Sequence, residues 1–187
     1  LDWINSIQGE ITRMSSFIQS LLAYGRVESG ELKLEDCDFA EILKSVKQHL
    51  KADLEANHVQ LTADPLPAVR VDPMLISQLF QNLIENSIKY RGEAPPHIHV
   101  SAVHADEKTW RFAVQDNGSG SRAQEGERSF TPFFQASTGK SPAKGVGLGL
   151  ATCRRIVERH GGHIEPMAPQ DGGATFSFTI PAANKTE

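Results

Sequence analysis

Hydrophobic positions along the first thirty residues recur at alternating intervals of three and four. Residues 4, 7, 11, 14, 18 and 21 are Ile, Ile, Ile, Met, Ile and Leu, the seam of a coiled coil or helical bundle. Trp3, Phe17 and Leu22 widen the stripe beyond a bare two-stranded seam. Gly25 weakens the pattern, and Ser29-Gly30 is expected to stop the helix. A lone helix would leave this stripe in water, so partner helices are expected; packing on its own domain is the plainer alternative.

Beyond Gly30 the periods alternate. Leu32 to Cys37 reads as a short strand, and Asp38 as the cap of a helix to about Glu55. Val59 to Ala63 reads as a strand, ended by Pro65-Leu66-Pro67. Asp72-Pro73 pairs a capping residue with a first-turn proline and launches a helix to about Tyr90. Ile98, Val100 and Ala102 alternate along one strand, and Trp110, Phe112 and Val114 along the next. From Gly118 to about Lys144 no period is evident, which predicts a mobile lid. A helix from about Leu148 to Arg159 follows, then two strands around Asp171-Gly172-Gly173. The interleaving predicts an α+β sandwich, a mixed sheet with helices on one face, behind a long N-terminal bundle helix. The expected division is 1–30 and 31–187.

Composition narrows the function. The 187 residues are 39% hydrophobic and 22% charged, with net charge −4. The sequence pI is about 6.0, which argues against a nucleic-acid or anionic-membrane surface. No apolar run approaches the roughly 20 residues of a membrane span. Cys37 and Cys153 match no metal spacing and read as reduced thiols of a cytoplasmic protein. The chain begins without Met, in mid-pattern, as expected of a fragment; any membrane contact would come from segments outside it.

Three segments carry candidate chemistry. On the helix 72–90, Ile76, Leu79, Phe80, Leu83, Ile84 and Ile88 fill one arc, while Gln78, Asn82, Glu85, Asn86 and Lys89 line the other. Most such stripes are solvated faces. Asparagine is a poor helix former, however, and its amide oxygen is a hard neutral ligand suited to Mg²⁺. Lys89 could meet a phosphate and Tyr90 could flank a base. Asp116, in D-N-G-S-G at 116–120, shares the parity of Phe112 and Val114 and should point inward, where a carboxylate needs donors. The amino group of adenine is one such donor. Gly118 and Gly120 would let backbone approach a base; a plain hairpin turn is the alternative. Gly145, Gly147 and Gly149, in G-V-G-L-G-L at 145–150, open a helix whose free N–H groups form an anion site. No Walker lysine follows, and no dinucleotide-binding strand–turn–helix surrounds them.

With these segments in hand, the chain resembles the catalytic core of a two-component sensor histidine kinase, within the superfamily that shares the Bergerat nucleotide fold. N-L-I-E-N-S-I-K-Y at 82–90 is similar to the family's N box, D-N-G-S-G to its G1 box, F-T-P-F-F at 130–134 to its F box and G-V-G-L-G-L to its G2 box. The stretches 21–30, 154–162 and 173–181 also fit. The resemblance implies that Asn86 coordinates Mg²⁺, with Asn82 beside it and Lys89 near the phosphates of ATP. It implies that Tyr90 packs by the base and that Asp116, with Gly118, Gly120 and Thr175, forms the adenine pocket. Gly145, Gly147, Leu148, Gly149 and Leu150 would follow the triphosphate, and Phe133 and Phe134 would anchor the lid. Helix 1–29 would be half of a hairpin that makes a homodimer, and a response regulator receiver domain would be the partner.

Where other branches of the superfamily have a Glu four residues before the metal-binding Asn to activate water, this chain has Asn82, which cannot act as a base. Glu85 is the nearest carboxylate. None of the seven histidines is followed by Asp or Glu, so the resemblance places the phosphoacceptor outside this chain. Ser121 and Val146 stand where an aliphatic residue and Thr are usual. His97 and His99 share one strand face, as a solvated pair or a metal site. The expected activity is γ-phosphoryl transfer from Mg-ATP to a histidine. The competing expectations are a non-catalytic nucleotide-binding scaffold that docks a response regulator, and an ATP-hydrolysing clamp.

Overall fold

The computed structural model describes residues 2–135, 146–167 and 172–182. Helix α1 (Asp2–Ser29) leads. Strand β1 (Glu35–Asp38), helices α2 (Phe39–His49) and α3 (Lys51–Ala56), and strands β2 (Gln60–Ala63) and β3 (Ala68–Val71) follow. Helix α4 (Pro73–Lys89) precedes strands β4 (His97–Asp106) and β5 (Thr109–Asp116). Then come a short helix α5 (Ser121–Gln124), a 3-10 turn (Gly126–Phe130), helix α6 (Gly149–Arg159), and strands β6 (Ile164–Met167) and β7 (Ala174–Pro181).

The five-stranded sheet runs β2-β4-β5-β7-β6, with β2 parallel to β4 and the other pairs antiparallel. β1 and β3 form a separate antiparallel pair. The protein is thus a mixed α+β sandwich with helices on one face of the sheet, preceded by α1. Alternation along β5 and β7 turns Phe112, Val114, Phe176 and Phe178 into the core. Phe112 lies between Phe39 of α2 and Phe178 of β7, with ring centroids 4.4 and 5.1 Å away. Ile76, Leu79, Phe80, Leu83 and Ile84 complete the layer from α4, all fully buried.

Local chemistry explains the helix starts. Asp38 accepts from the Ala40 N–H at 2.7 Å. Asp72 Oδ1 accepts from the N–H groups of Met74 and Leu75, and Pro73 occupies the first turn, where no N–H is needed. Asp72 also ties distant segments together: Oδ2 accepts from the Lys33 N–H, and its own N–H donates to His160 Nε2 at 3.0 Å. His160 Nδ1 faces the Ile156 carbonyl at 2.7 Å, which fixes the proton on Nδ1. Burial holds the His160 pKa below its ordinary value.

Several expectations need correction. The single helix 38–55 is broken at Leu50, whose ψ is 7°. Strand β3 has no clear signal in the sequence, because Pro67 and the four-residue length of A-V-R-V hide its alternation. Within the expected lid, residues 121–124 form a helix and 126–130 a 3-10 turn, with Ala123, Ser129 and Phe130 buried. Its residues 136–144, like Gly145 and Asp171, lie outside the described residues. His97 and His99 both approach the Thr62 hydroxyl, at 3.4 and 2.9 Å. Among the described residues, no group of three or more His, Cys, Asp or Glu is arranged to hold a metal ion. No described helix is long and apolar enough to cross a membrane.

Candidate nucleotide site

The apolar arc of α4 fixes its rotation on the sheet, so Asn82, Glu85, Asn86 and Lys89 face away from the core. Asn82, Asn86 and Lys89 are half-buried, and Glu85 is exposed and accepts from Gln81 Nε2 at 2.8 Å. Lys89 Nζ sits 4.9 Å from the centroid of the Tyr90 ring. Behind this stripe Cys153 of α6 is fully buried, and desolvation pushes its thiol pKa far up, so it is inert as a nucleophile.

Opposite the stripe lies the start of α6. The two meet around a cavity of about 200 Å³, walled by Asn82, Glu85, Asn86 and Lys89 on one side and residues 146–150 on the other. Ser20 of α1 closes a third side. Among the described residues no side chain caps α6, so its first N–H groups can face an anion at this wall. Gly147 has φ +79°, and a Cβ there would come within 2.7 Å of the Phe134 carbonyl oxygen. Its carbonyl in turn accepts from the Phe133 N–H at 3.1 Å. The second glycine of the strip therefore locks the strip to the F-T-P-F-F segment. Gly149 differs: a Cβ there would lie 3.9 Å from Asn82 Oδ1, so its bareness leaves the cavity open.

Phe133 itself has φ +64°, a strained value for a bulky residue. The strain presents its ring outward, where it stacks on Phe17 of α1 with centroids 6.1 Å apart. Arg155 pairs with Glu28 at 3.2 Å, and Arg159 donates to the carbonyls of Val27 and Gly30. The N-terminal helix is thereby seated along α6 and against the segment bordering the cavity.

Asp116 ends β5 on the core side, with only 8% of its surface exposed. Its Oδ1 accepts from the N–H groups of Gly118 (2.8 Å) and Ala174 (3.1 Å), and its Oδ2 lies 2.9 Å from the Ser87 hydroxyl. Three donors hold the carboxylate, yet desolvation dominates and raises its pKa above 3.8. Ser87 directly follows Asn86, so Asp116 is anchored one residue along α4 from the proposed metal ligand.

Residues 71–184 match the family of histidine kinase-, DNA gyrase B- and HSP90-like ATPases. The chain belongs to that family. Its Bergerat-type domain is closely related in sequence and fold to sensor histidine kinase catalytic domains. Cyanobacterial phytochrome A of Nostoc is 35% identical over 175 residues, covering 94% of this chain and 23% of that protein. Sensor protein KdpD of Escherichia coli is 32% identical over 185 residues, covering 98% and 20%. The chain thus spans about a fifth to a quarter of these two relatives. Among solved structures, full-length ShkA in complex with AMPPNP superposes with TM-score 0.79 at 24% identity, over 97% of this chain and 38% of that one. Histidine kinase ThkA in complex with response regulator TrrA gives 0.74 at 25% identity, over 99% and 52%.

Within this histidine kinase-like domain the anticipated residues divide. Asn82, Glu85, Asn86, Lys89, Gly147, Leu148, Gly149 and Leu150 share one cavity. Asp116 and Tyr90 lie outside its walls, joined to α4 through Ser87 and through the Tyr90 carbonyl, which accepts from the Ser119 N–H at 2.9 Å. Gly118 and Gly120 make room for protein backbone: a Cβ at either would come within 2.6 Å of the carbonyl oxygen of Tyr90 or of Gly173. Thr175 pairs with Gln115 and, by strand alternation, points to the face opposite Asp116, whereas Ala174 sits directly beside the carboxylate. Phe134 is half-buried with Arg128 over its ring at 5.4 Å. Gly145 lies outside the described residues. Sequence reasoning missed Ser87, Ala174 and Ser20. Only Ser87 carried a signal, as a hydroxyl placed inside an otherwise apolar arc.

Proposed function

We propose that this domain binds Mg-ATP between α4 and the N-terminus of α6 and transfers its γ-phosphoryl to a histidine outside this chain. The observation that carries the reading is the shared cavity. It gathers two amide side chains, a lysine and an uncapped helix start, a donor-rich set that suits a triphosphate with its metal. The Asn86 amide oxygen would hold Mg²⁺, and Asn82 would hold a water or phosphate oxygen beside it. Bound Mg²⁺ would neutralise charge on the phosphates. Lys89, displaced from the Tyr90 ring, would add a second positive charge, and the α6 N–H groups would orient the phosphates. Positioning and charge neutralisation supply most of the rate in such transfers.

Asp116 would select adenine. Its position is fixed by Ser87, Gly118 and Ala174, and a carboxylate has capacity for a further donor, which the adenine amino group provides and which guanine replaces with a carbonyl at that place. Glu85 is the carboxylate on the cavity wall and would accept the proton of an incoming imidazole. The division into 1–30 and 31–187 then has a meaning: the exposed apolar stripe of α1, with Ile7, Ile11, Met14, Ile18 and Leu21 in water, would pair in a homodimeric bundle and present the acceptor histidine. A response regulator receiver domain would take the phosphoryl group onward, as the ThkA–TrrA complex suggests by its composition.

Calorimetry with AMPPNP, with and without Mg²⁺, tests the binding step. Affinity should be Mg²⁺-dependent in the wild type and lose that dependence in Asn86→Ala; equal Mg²⁺ dependence in both would overturn the assignment.

A further inference from the structure

A second surface lies at the opposite edge of the sheet from β6. β2 ends the sheet, paired only with β4 among the described residues. The Gln60 N–H donates to Pro96 and the Asp64 N–H to Val100. In a parallel ladder this register turns residues 60, 62 and 64 toward β4 and leaves the N–H and C=O groups of Leu61 and Ala63 facing outward. Natural sheets guard such edges with charge, proline or a bulge on the edge strand. Q-L-T-A has none of these.

Beside this edge runs a trough. One cavity of about 820 Å³ and a second of about 280 Å³ share Lys44, Lys47, Leu61 and Thr62, so together they follow the whole strand. The far wall is basic: Lys44, Lys47 and Lys51 stand at successive turns of α2 and α3 and line the first cavity, against one acid, Glu55. Lys44 and Lys51 make exposed pairs with Glu41 and Glu55 at 3.1 and 3.8 Å, of the kind that exchanges readily with an incoming carboxylate. A basic wall on a chain of net charge −4 is a local feature, not a consequence of composition.

We propose that the β2 edge is a docking site for an extended acidic segment of a partner protein, added as a sixth strand. Its backbone would pair with Leu61 and Ala63, its alternate carboxylates would face the trough and meet Lys44, Lys47 and Lys51, and the aliphatic side chains between them would lie on the opposite face of the sheet. The site is independent of the nucleotide cavity, which lies on the other side of α4 from α2 and is walled by different residues.

The test uses the whole chain and the eight-residue peptide (Val-Glu)4, followed by amide hydrogen exchange. Saturating peptide should slow exchange at the Leu61 and Ala63 N–H groups about tenfold or more, with affinity lost by about tenfold in Lys47→Glu/Lys51→Glu. A (Val-Lys)4 peptide, and (Val-Glu)4 N-methylated at alternate residues, should produce no slowing. AMPPNP binding should be unchanged in the lysine variant, which separates this outcome from any failure at the nucleotide site. The proposal is overturned if millimolar (Val-Glu)4 leaves both amides unprotected, if (Val-Lys)4 protects them equally, or if protection arises from a second copy of the chain in sedimentation runs without peptide.

Discussion

The Ser87 hydroxyl lies 2.9 Å from Oδ2 of Asp116 and 3.1 Å from the Leu83 carbonyl, two acceptors sharing one proton. This contact crosses from α4 to β5 beneath the proposed nucleotide and makes Asp116 part of the core as much as of the site. Ser87→Ala should remove one charge-assisted hydrogen bond and cost about 1.5–3 kcal/mol of stability, read by urea denaturation. It should also raise the Asp116 pKa further, since one of the three groups that oppose desolvation is lost.

The same raised pKa sets a pH dependence. The proposed adenine contact needs ionised Asp116, so nucleotide affinity should fall as pH drops through the folded-state value, above the ordinary 3.8. Stability runs the other way for this group: its contribution is present below 3.8 and lost as pH rises through the folded pKa. Calorimetric titrations with AMPPNP at a series of acid pH values check the binding half. An onset of weakening no higher than that of an exposed carboxylate would be inconsistent with it.

His160 should dominate a separate acid response. Its folded pKa is below 6.5, so the native state resists protonation that the unfolded chain accepts. Stability should therefore decline as pH falls below about 6.5 and level off under the folded pKa. In His160→Gln the decline between pH 7 and 5 should be shallower, measured as denaturation midpoints at each pH.

Phe17→Ala removes the ring that covers Phe133. Because Ser20 walls the cavity one turn further along α1, the change should alter nucleotide dissociation by several-fold while leaving the melting of the sheet domain nearly unchanged. Stopped-flow release of a fluorescent ATP analogue measures it; unaltered release would confine the contact to packing.

Gly162→Ala places a Cβ 1.7 Å from the Thr179 carbonyl oxygen of β7 and 3.1 Å from the Val157 side chain of α6. The β7 backbone cannot yield by rotating a side chain. A loss of several kcal/mol, or failure to fold, is expected, read by thermal melting against Gly172→Ala, where no described residue lies within 4 Å but φ is +86°.

Much of this molecule could be read along the chain. The α4 start at Asp72-Pro73, the inward turn of Asp116 and the polar stripe of Asn82, Asn86 and Lys89 follow from capping chemistry and from periods of 3.6 and 2. Those rules act between residues at most a few positions apart, so sequence alone carries them. What the tertiary structure decided is which distant atoms fill each vacancy. Asp116 finds Ser87 and Ala174, 29 and 58 residues away; Gly118 and Gly120 yield their side chains to neighbouring carbonyls; Ala174 rather than Thr175 faces the carboxylate. Each outcome depends on strand register and on the rotation of α4 over the sheet, and a one-residue change of register would exchange the two faces. Local pattern placed the elements, and packing of the shared core chose their partners.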